Sequence, residues 1–414
     1  MNEAKQKFRL TSLERAWILY DVGNSAFVLL VATLIPIFFN ALAEGGGLSS
    51  VEYLAYWGYA ASAVTVITAV LSPILGTLAD TRNFKKPIFT FCVAVGVIGC
   101  CAMGMASTWL PFLLIFIFAK VGFSGSLVFY DSMLSDVTVP DRMDEVSSKG
   151  YAWGYIGSCV PFVVCLALVL GAGSIGISQM TALNLALFIT AAWWLVTTLP
   201  LLRQYKQVHF VEVQEHAIRQ SFARIGHTLR HLKEDRQVFW FLLAFFCYID
   251  GVYTIIDMAT AYGTALGLDT TGLLLALLVT QIVAFPSALV FGRLSGQYPS
   301  GTLIPVCIAA YAGIALFAFF LKRQWQFWVL AVVVGMFQGG IQALSRSHFA
   351  KIIPPEKSGE YFGLFDICGK GASFLGTMIV SVGSQLTGSA NVGVGSLIVL
   401  FIVGFVLFRV SDQK

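Results

Sequence analysis

Charge is what this sequence has least of. Lys, Arg, Asp and Glu make up 12% of its 414 residues, about half the share that a soluble domain carries. With 57% of residues hydrophobic and a mean hydropathy of +0.79, too little polar surface remains to clothe a water-soluble fold of this size. Lipid is the solvent that makes the composition sensible. Other absences narrow the function. No Gly-x-x-x-x-Gly-Lys-[Ser/Thr] run occurs, which argues against a self-contained ATP-driven pump. No hydrolytic triad or paired nucleophile and base stands out, so neither an enzyme nor a cofactor is expected. The eight cysteines (Cys92, Cys100, Cys101, Cys159, Cys165, Cys247, Cys307, Cys368) all fall inside apolar runs. They lack zinc-ligand spacing and the exposed placement of a disulfide framework, so they read as small packing residues and no metal site is expected. The N-terminus is polar through Glu14, so no cleavable signal is expected and the first apolar run is expected to remain as an anchor.

What the chain does have is long apolar runs, at about 16–42, 53–79, 87–106, 109–137, 148–171, 180–202, 237–263, 268–291, 301–321, 325–349, 361–386 and 391–409. Each is long enough for a bilayer, which needs roughly 20 apolar residues. The fold class expected is an all-α membrane protein of twelve transmembrane helices. Counting Lys and Arg in the connectors puts 21 on one side, from Lys5 to Lys414, and only Lys322 and Arg323 on the other. By the positive-inside rule this places both termini in the cytoplasm and the protein in the cytoplasmic (inner) membrane.

One connector, at about 203–236, is longer than the rest. It divides the chain into an N-terminal six-helix half (1–202) and a C-terminal six-helix half (237–414). Within it Ile218, Phe222, Ile225, Leu229 and Leu232 recur at helical spacing between basic residues. That pattern predicts an amphipathic helix lying on the membrane face, and not a nucleic-acid-binding stretch. The halves repeat weakly: Ser72–Asp80 and Ala288–Gly296 carry glycines in register, and Gly125-Ser126 and Gly339-Gly340 stand at equal distances before Pro140 and Pro354. Repeats of six helices are how two-halved transporters place a solute site between halves.

Ionisable residues inside a span cost a few kcal/mol or more, so they usually face a cavity or a partner. Here they form stripes. Trp17, Tyr20, Asp21 and Asn24 follow i, i+3, i+4, i+7 in span 1; Lys120, Ser124, Asp131 and Ser135 share a face in span 4, beside Tyr130. Asp250, Tyr253, Thr254 and Asp257 do so in span 7, and Gln338, Gln342 and Ser345, with Arg346 beside them, in span 10. The expected substrate pathway is Trp17, Tyr20, Asp21, Asn24, Tyr130, Asp131, Asp250, Tyr253, Gln338, Gln342 and Arg346. Asp131 and Asp250 are the candidates for proton coupling, because a carboxyl in a low-dielectric cavity can exchange protons near neutral pH. Two readings stand for Asp21, a pathway residue or a partner of Arg15. Two also stand for the i, i+4 pair Asp366 and Lys370 in span 11, structural or functional. In the hairpin from Gly76 to Lys86, Gly76 allows close helix approach, and Asp80 is placed to pair with a basic group or a helix N-terminus across the halves. Gly76, Asp80 and Arg82 are therefore the gating candidates.

The Gly76–Lys86 hairpin resembles the signature between spans 2 and 3 of the major facilitator superfamily. Four further stretches resemble the bacterial branch of the autophagy-related vacuolar amino-acid effluxer family: Glu14–Asp21 with Asn24–Phe27, Val128–Asp131, Gly150–Ser158, and Gln338–Ser347. The resemblance covers almost the whole chain. It implies the major facilitator fold and secondary transport of a small solute, with amino-acid efflux as the leading expectation. Asn83 and Phe84 depart from the hairpin pattern, where Arg or Gly-Arg is common. The alternatives are a multidrug or lipid-like exporter and, in another class, a non-transporting membrane receptor or scaffold. The expected partners are a small-molecule solute, the lipid bilayer and protons, with a single polypeptide as the working unit.

Overall fold

The computed structural model describes residues 9–212, 230, 232 and 235–412. In chain order the α-helices are α1 (Ser12–Ala32), α2 (Leu34–Gly45), α3 (Ser50–Ala79), α4 (Lys85–Met103), α5 (Trp109–Ser132), α6 (Leu134–Val137), α7 (Pro140–Leu170) and α8 (Gln179–Gln204). After the connector come α9 (Arg236–Ala265), α10 (Thr270–Leu294), α11 (Ser300–Phe319), α12 (Gln324–Ile352), α13 (Ser358–Thr387), α14 (Ala390–Gly395) and α15 (Ile398–Asp412). Eleven stretches among the described residues are long and apolar enough to cross a membrane. A twelfth long helix, α13, has 30 residues and carries Glu360, Asp366 and Lys370 in its first half. The amphipathic helix expected in the connector, on Ile218, Phe222, Ile225 and Leu229, falls outside the described residues.

Local chemistry sets the boundaries. Thr11 caps α1, and Glu14 reaches back to the Thr11 N–H at 2.7 Å, closing a capping box; Ser49 and Glu52 do the same for α3. The first apolar run is not one helix but two. Pro36 has no N–H for the Ala32 carbonyl, and the chain breaks at Thr33 (φ −131°, ψ −76°). The Thr33 hydroxyl takes up the Leu29 carbonyl at 2.6 Å. Helix α7 begins well before its apolar run, with Pro140 in its first turn. Its polar first turns persist because Asp144 and Ser147 find partners on α12.

Helices before the connector pack mainly on one another, α1 against α7 and α8, and α4 against α5 and α8; after it α9 packs on α13 and α15, and α10 and α11 on α12. Two seams join the sets, α3 with α5 against α13, and α7 against α10 and α12. Glycine makes both possible. A Cβ on Gly76 would lie 2.2 Å from the Gly359 carbonyl oxygen, and one on Gly359 would lie 2.4 Å from that of Gly76. A Cβ on Gly292, the repeat counterpart of Gly76, would lie 2.8 Å from Ser148 Cβ on α7. The Gly76–Gly359 contact is backbone on backbone, so no side-chain rotation relieves a substitution there. Gly76→Val is expected to wedge α3 from α13. Spin labels at the exposed positions Arg82 and Glu356 would then show a longer separation than in the parent protein; an unchanged distance would mean that this contact does not hold the seam.

Candidate functional site

Three tiers of polar contacts join the two helix sets. The innermost is centred on Arg346 of α12. Its Nη1 donates to Asp131 Oδ1 on α5 at 3.0 Å and lies 3.5 Å from Asp21 Oδ2 on α1. Its Nε donates to Ser147 Oγ on α7 at 2.9 Å, and Nη2 to the Ser147 carbonyl at 3.0 Å. Three rings flank the guanidinium, Tyr151 at 4.3 Å, Trp17 at 4.6 Å and Tyr130 at 5.3 Å, a cation–π arrangement that offsets part of its desolvation. The rings are themselves fixed: Trp17 stacks on Tyr130 and donates its indole N–H to the Tyr130 carbonyl at 2.9 Å. The Tyr130 hydroxyl donates to Asp21 Oδ2 at 2.9 Å, and Asn24 Nδ2 lies 3.3 Å from Asp21 Oδ1. Gly150 leaves room for the cluster, since a Cβ there would sit 2.8 Å from Asp21 Oδ2. The Arg346 side chain is 2% exposed and that of Asp131 20%. The cluster is thus sealed around the guanidinium and reachable beside Asp131.

The middle tier ties α7 to α12. Ser147 Oγ donates to the Ala343 carbonyl at 2.8 Å, and Ser347 Oγ to Asp144 Oδ1 at 2.6 Å. Lys351 Nζ meets Asp144 Oδ2 at 2.5 Å.

The outer tier is at the face that bears the N-terminus. Asp80 accepts the N–H groups of Gly359 and Glu360 at 2.7 and 2.9 Å, so it sits on the N-terminus of α13, where the helix dipole favours a negative charge. Lys85 is fully buried, 4.0 Å from Asp80 and 3.5 Å from Asp136, and donates to Ser358 Oγ at 2.8 Å. Lys85, one of the basic residues counted in the connectors, is thus turned inward. Asp136 is held in turn by the start of the connector. It accepts from the Tyr205 hydroxyl at 2.6 Å and from the backbone N–H groups of Val208 and His209 at 3.2 and 2.9 Å. Val211 then pairs with the hairpin, donating to the Asp80 carbonyl at 2.8 Å and accepting the Arg82 N–H at 3.1 Å.

Several sequence candidates thus meet at Arg346: Trp17, Asp21, Asn24, Tyr130 and Asp131. Tyr20 lies beside them but donates to Ser126 Oγ at 2.6 Å, inside the first set. Gln342 accepts from Tyr155 across the sets at 2.7 Å. Asp21 takes Arg346 and not Arg15, which is exposed. Asp250 does not join the cluster: it is fully buried against α13, where Oδ1 accepts the Gly376 N–H at 2.9 Å and the Thr254 hydroxyl at 3.3 Å. Tyr253 is half-buried. Gln338 lines a mainly apolar cavity of about 50 Å³ within the second set, with Thr254, Thr280 and Gln281. Arg82 does not bridge the sets; it stays exposed over Phe210 at 4.9 Å and pairs with Glu212 at 3.4 Å. Asp366 accepts from Ser72 Oγ across the α3–α13 seam at 2.7 Å; the Lys370 side chain lies outside the described residues. Sequence reasoning missed Lys85, Asp136, Asp144, Ser147, Tyr151 and Lys351 as parts of the tiers. A signal existed for two of them, since Ser147 and Tyr151 are one helical turn apart and flank Gly150.

A model of the family described as "Vacuole effluxer Atg22 like" matches residues 12–141 and 135–414. The chain belongs to this family. It is 42% identical over 411 residues to YxiO of Bacillus subtilis strain 168, an MFS-type transporter, covering 98% of this chain and 96% of that one. Autophagy-related protein 22 of Coccidioides immitis is 26% identical over 315 residues, 65% of this chain but 51% of the fungal protein. The chain thus spans about half the length of that relative. Among solved structures, the transporter FucP in its outward conformation superposes with a TM-score of 0.73 at 17% identity, covering 97% of this chain and 98% of FucP. The human organic anion transporter MFSD10 does so with a TM-score of 0.72 at 13% identity, over 96% and 98%. The fold is that of the major facilitator superfamily, and this Atg22-like protein is a multi-pass transporter, not an enzyme.

Burial pushes the Asp80 carboxyl up to about 7, against the opposing pull of Lys85 and the two N–H donors. When the seam parts and water reaches Asp80, the group returns to its ordinary range near 3.8. The closed seam therefore holds this proton more tightly than the open one. Its contribution to closure is complete below about 3.8 and is lost as pH rises through about 7. The Arg82–Glu356 spin-label distance is expected to shorten as pH falls across that window, and Asp80→Asn to abolish the dependence. A pH response that survives in Asp80→Asn would assign it to another group.

Proposed function

We propose that the protein is an alternating-access secondary transporter of a small polar or amphipathic solute, with an amino acid as the first choice, coupled to protons through Asp131. The two halves, 1–202 and 237–414, would rock against each other around Arg346. The connector charges, 21 basic residues against two, support placing the N-terminal face at the cytoplasm of the inner membrane, with a single polypeptide as the working unit. On that reading all three tiers close the cytoplasmic side, and the described conformation is the one open outward.

The observation that carries the reading is the charge balance at the cluster. One guanidinium from the second half faces two carboxylates from the first. If both are ionised the cluster holds one uncompensated negative charge away from bulk water, which is costly. A proton neutralises it, and so does an ammonium group. An amino acid carries both an ammonium for Asp131 or Asp21 and a carboxylate for Arg346, so its binding would compete with the Arg346–Asp131 bond that joins the halves. A solute that loosens this bond favours reopening toward the other side, which is the thermodynamic requirement for coupling. Asp250, fully buried and in contact with Gly376, is a second proton candidate and acts, on this reading, through the packing of α9 on α13.

Proteoliposomes loaded with single amino acids test this. Arg346→Lys removes the forked donor and is expected to lower transport by about tenfold or more, the equivalent of losing one charged hydrogen bond of roughly 1.5–3 kcal/mol. Asp131→Asn is expected to retain solute exchange while losing uptake driven by a pH gradient. Full gradient-driven uptake by Asp131→Asn would overturn the coupling assignment, and no transport of any amino acid by the parent protein would overturn the solute class.

A further inference from the structure

A groove of about 870 Å³ opens on the N-terminal face between the start of α4 and the first residues of the connector. Its polar end is formed by Asn83, Lys86, Lys206 and Gln207, and Phe91 and Ala94 line it further along α4. Among the described residues no acidic side chain lines it. Neither the Lys86 nor the Lys206 ammonium has a hydrogen-bond or ion-pair partner among the described residues. Gln207 donates to the Ala79 carbonyl at 3.0 Å, while its Oε1 is buried without a partner among the described residues. Phe91 is 68% exposed, as expected of a side chain turned to lipid. It stands five residues beyond Lys86, about 7.5 Å along the helix. Cationic head and apolar wall are therefore spaced as the phosphate and upper acyl chains of a phospholipid are.

We propose that this groove binds one anionic phospholipid of the adjacent leaflet. The phosphodiester lies between Lys86 and Lys206, and the acyl chains run past Phe91 and Ala94. Phosphatidylglycerol has both features. The site is distinct from the Arg346 cluster and does not depend on which solute is carried. It also has a route to the closed seam: Tyr205 lines the groove and holds Asp136, and Asp136 holds Lys85, which bonds Ser358 across the sets. A lipid that fixes Tyr205 to Gln207 therefore steadies the hairpin behind the lock.

The test compares the full-length protein in phosphatidylcholine nanodiscs with and without phosphatidylglycerol, reading thermal unfolding and, by native mass spectrometry, lipid retained after delipidation. The parent protein is expected to unfold at higher temperature with phosphatidylglycerol and to retain one copy. Lys86→Gln and Lys206→Gln are each expected to weaken retention by about fivefold, the share of one lysine near an anionic surface. Phe91→Ala is expected to weaken it with both lysines intact. Each variant should match the parent in pure phosphatidylcholine, because these side chains have no hydrogen-bond or ion-pair partner among the described residues to lose. Lys322→Gln, on the opposite face, is expected to change nothing. Equal phosphatidylglycerol retention by the Lys86→Gln/Lys206→Gln double variant would overturn the proposal. So would the same stabilisation from inorganic phosphate alone, which would make the groove a site for free anions.

Discussion

A buried guanidinium cannot be left alone in a low-dielectric interior, and that constraint organises the molecule. Removing one partner of a buried ion pair costs about 3–5 kcal/mol, because the other charge remains desolvated. Arg346 belongs to the second helix set, and its carboxylate, hydroxyl and carbonyl acceptors all belong to the first. The two sets can part only if those acceptors are replaced. Water can do so, and so can another anionic group that enters the cluster. The aromatic walls Trp17, Tyr130 and Tyr151 keep water off the guanidinium faces, while Asp131 remains the side from which a replacement can enter.

The outer tiers follow the same rule with different groups. Asp80 satisfies two N–H donors that α13 would otherwise leave open at its N-terminus, and the glycines at 76 and 359 allow the backbones to come close enough for that. Lys85 is caught between two carboxylates and a serine. Asp80, Lys85, Asp136 and Asp144 each have an opposite charge or an N–H group across a helix boundary. Closure at this face is thus a set of mutually satisfied groups, and not a hydrophobic clasp.

Much of this was legible in the sequence. The apolar runs mark the helices to within a few residues, apart from the polar start of α7, and Pro36 sits where the first run breaks. Trp17, Asp21 and Asn24 could be placed on one face, because helical spacing fixes angles within a helix. Spacing does not fix where that face points in the bundle. For that reason Asp250 reads like Asp131 in sequence yet lies against Gly376, and Gln338 lines a cavity within one set. Arg82 and Lys85 show a second limit. Both are basic residues in a short hairpin, and a charge count treats them alike. The left-handed turn at Asn83 (φ 66°) separates them, sending Arg82 outward and Lys85 inward between Asp80 and Asp136. Contacts such as Arg346 with Asp21, 325 positions apart in the chain, depend on how helices assemble and leave no local pattern.

The repeat glycines end on different company. Gly76 is followed four residues later by Asp80, whereas Gly292 is followed at the same distance by Gly296. On the α3–α13 side, then, a carboxylate bridges to a helix end, while on the α7–α10 side Gly292 rests on Ser148 and Trp153 packs edge-on against Phe285. At the repeat glycines the first seam carries directional bonds and the second carries packing, the directional bonds of the second running instead from α7 to α12. A molecule built from two similar halves is thereby lopsided at its closed end, latched onto a helix end along one edge and between helix flanks along the other.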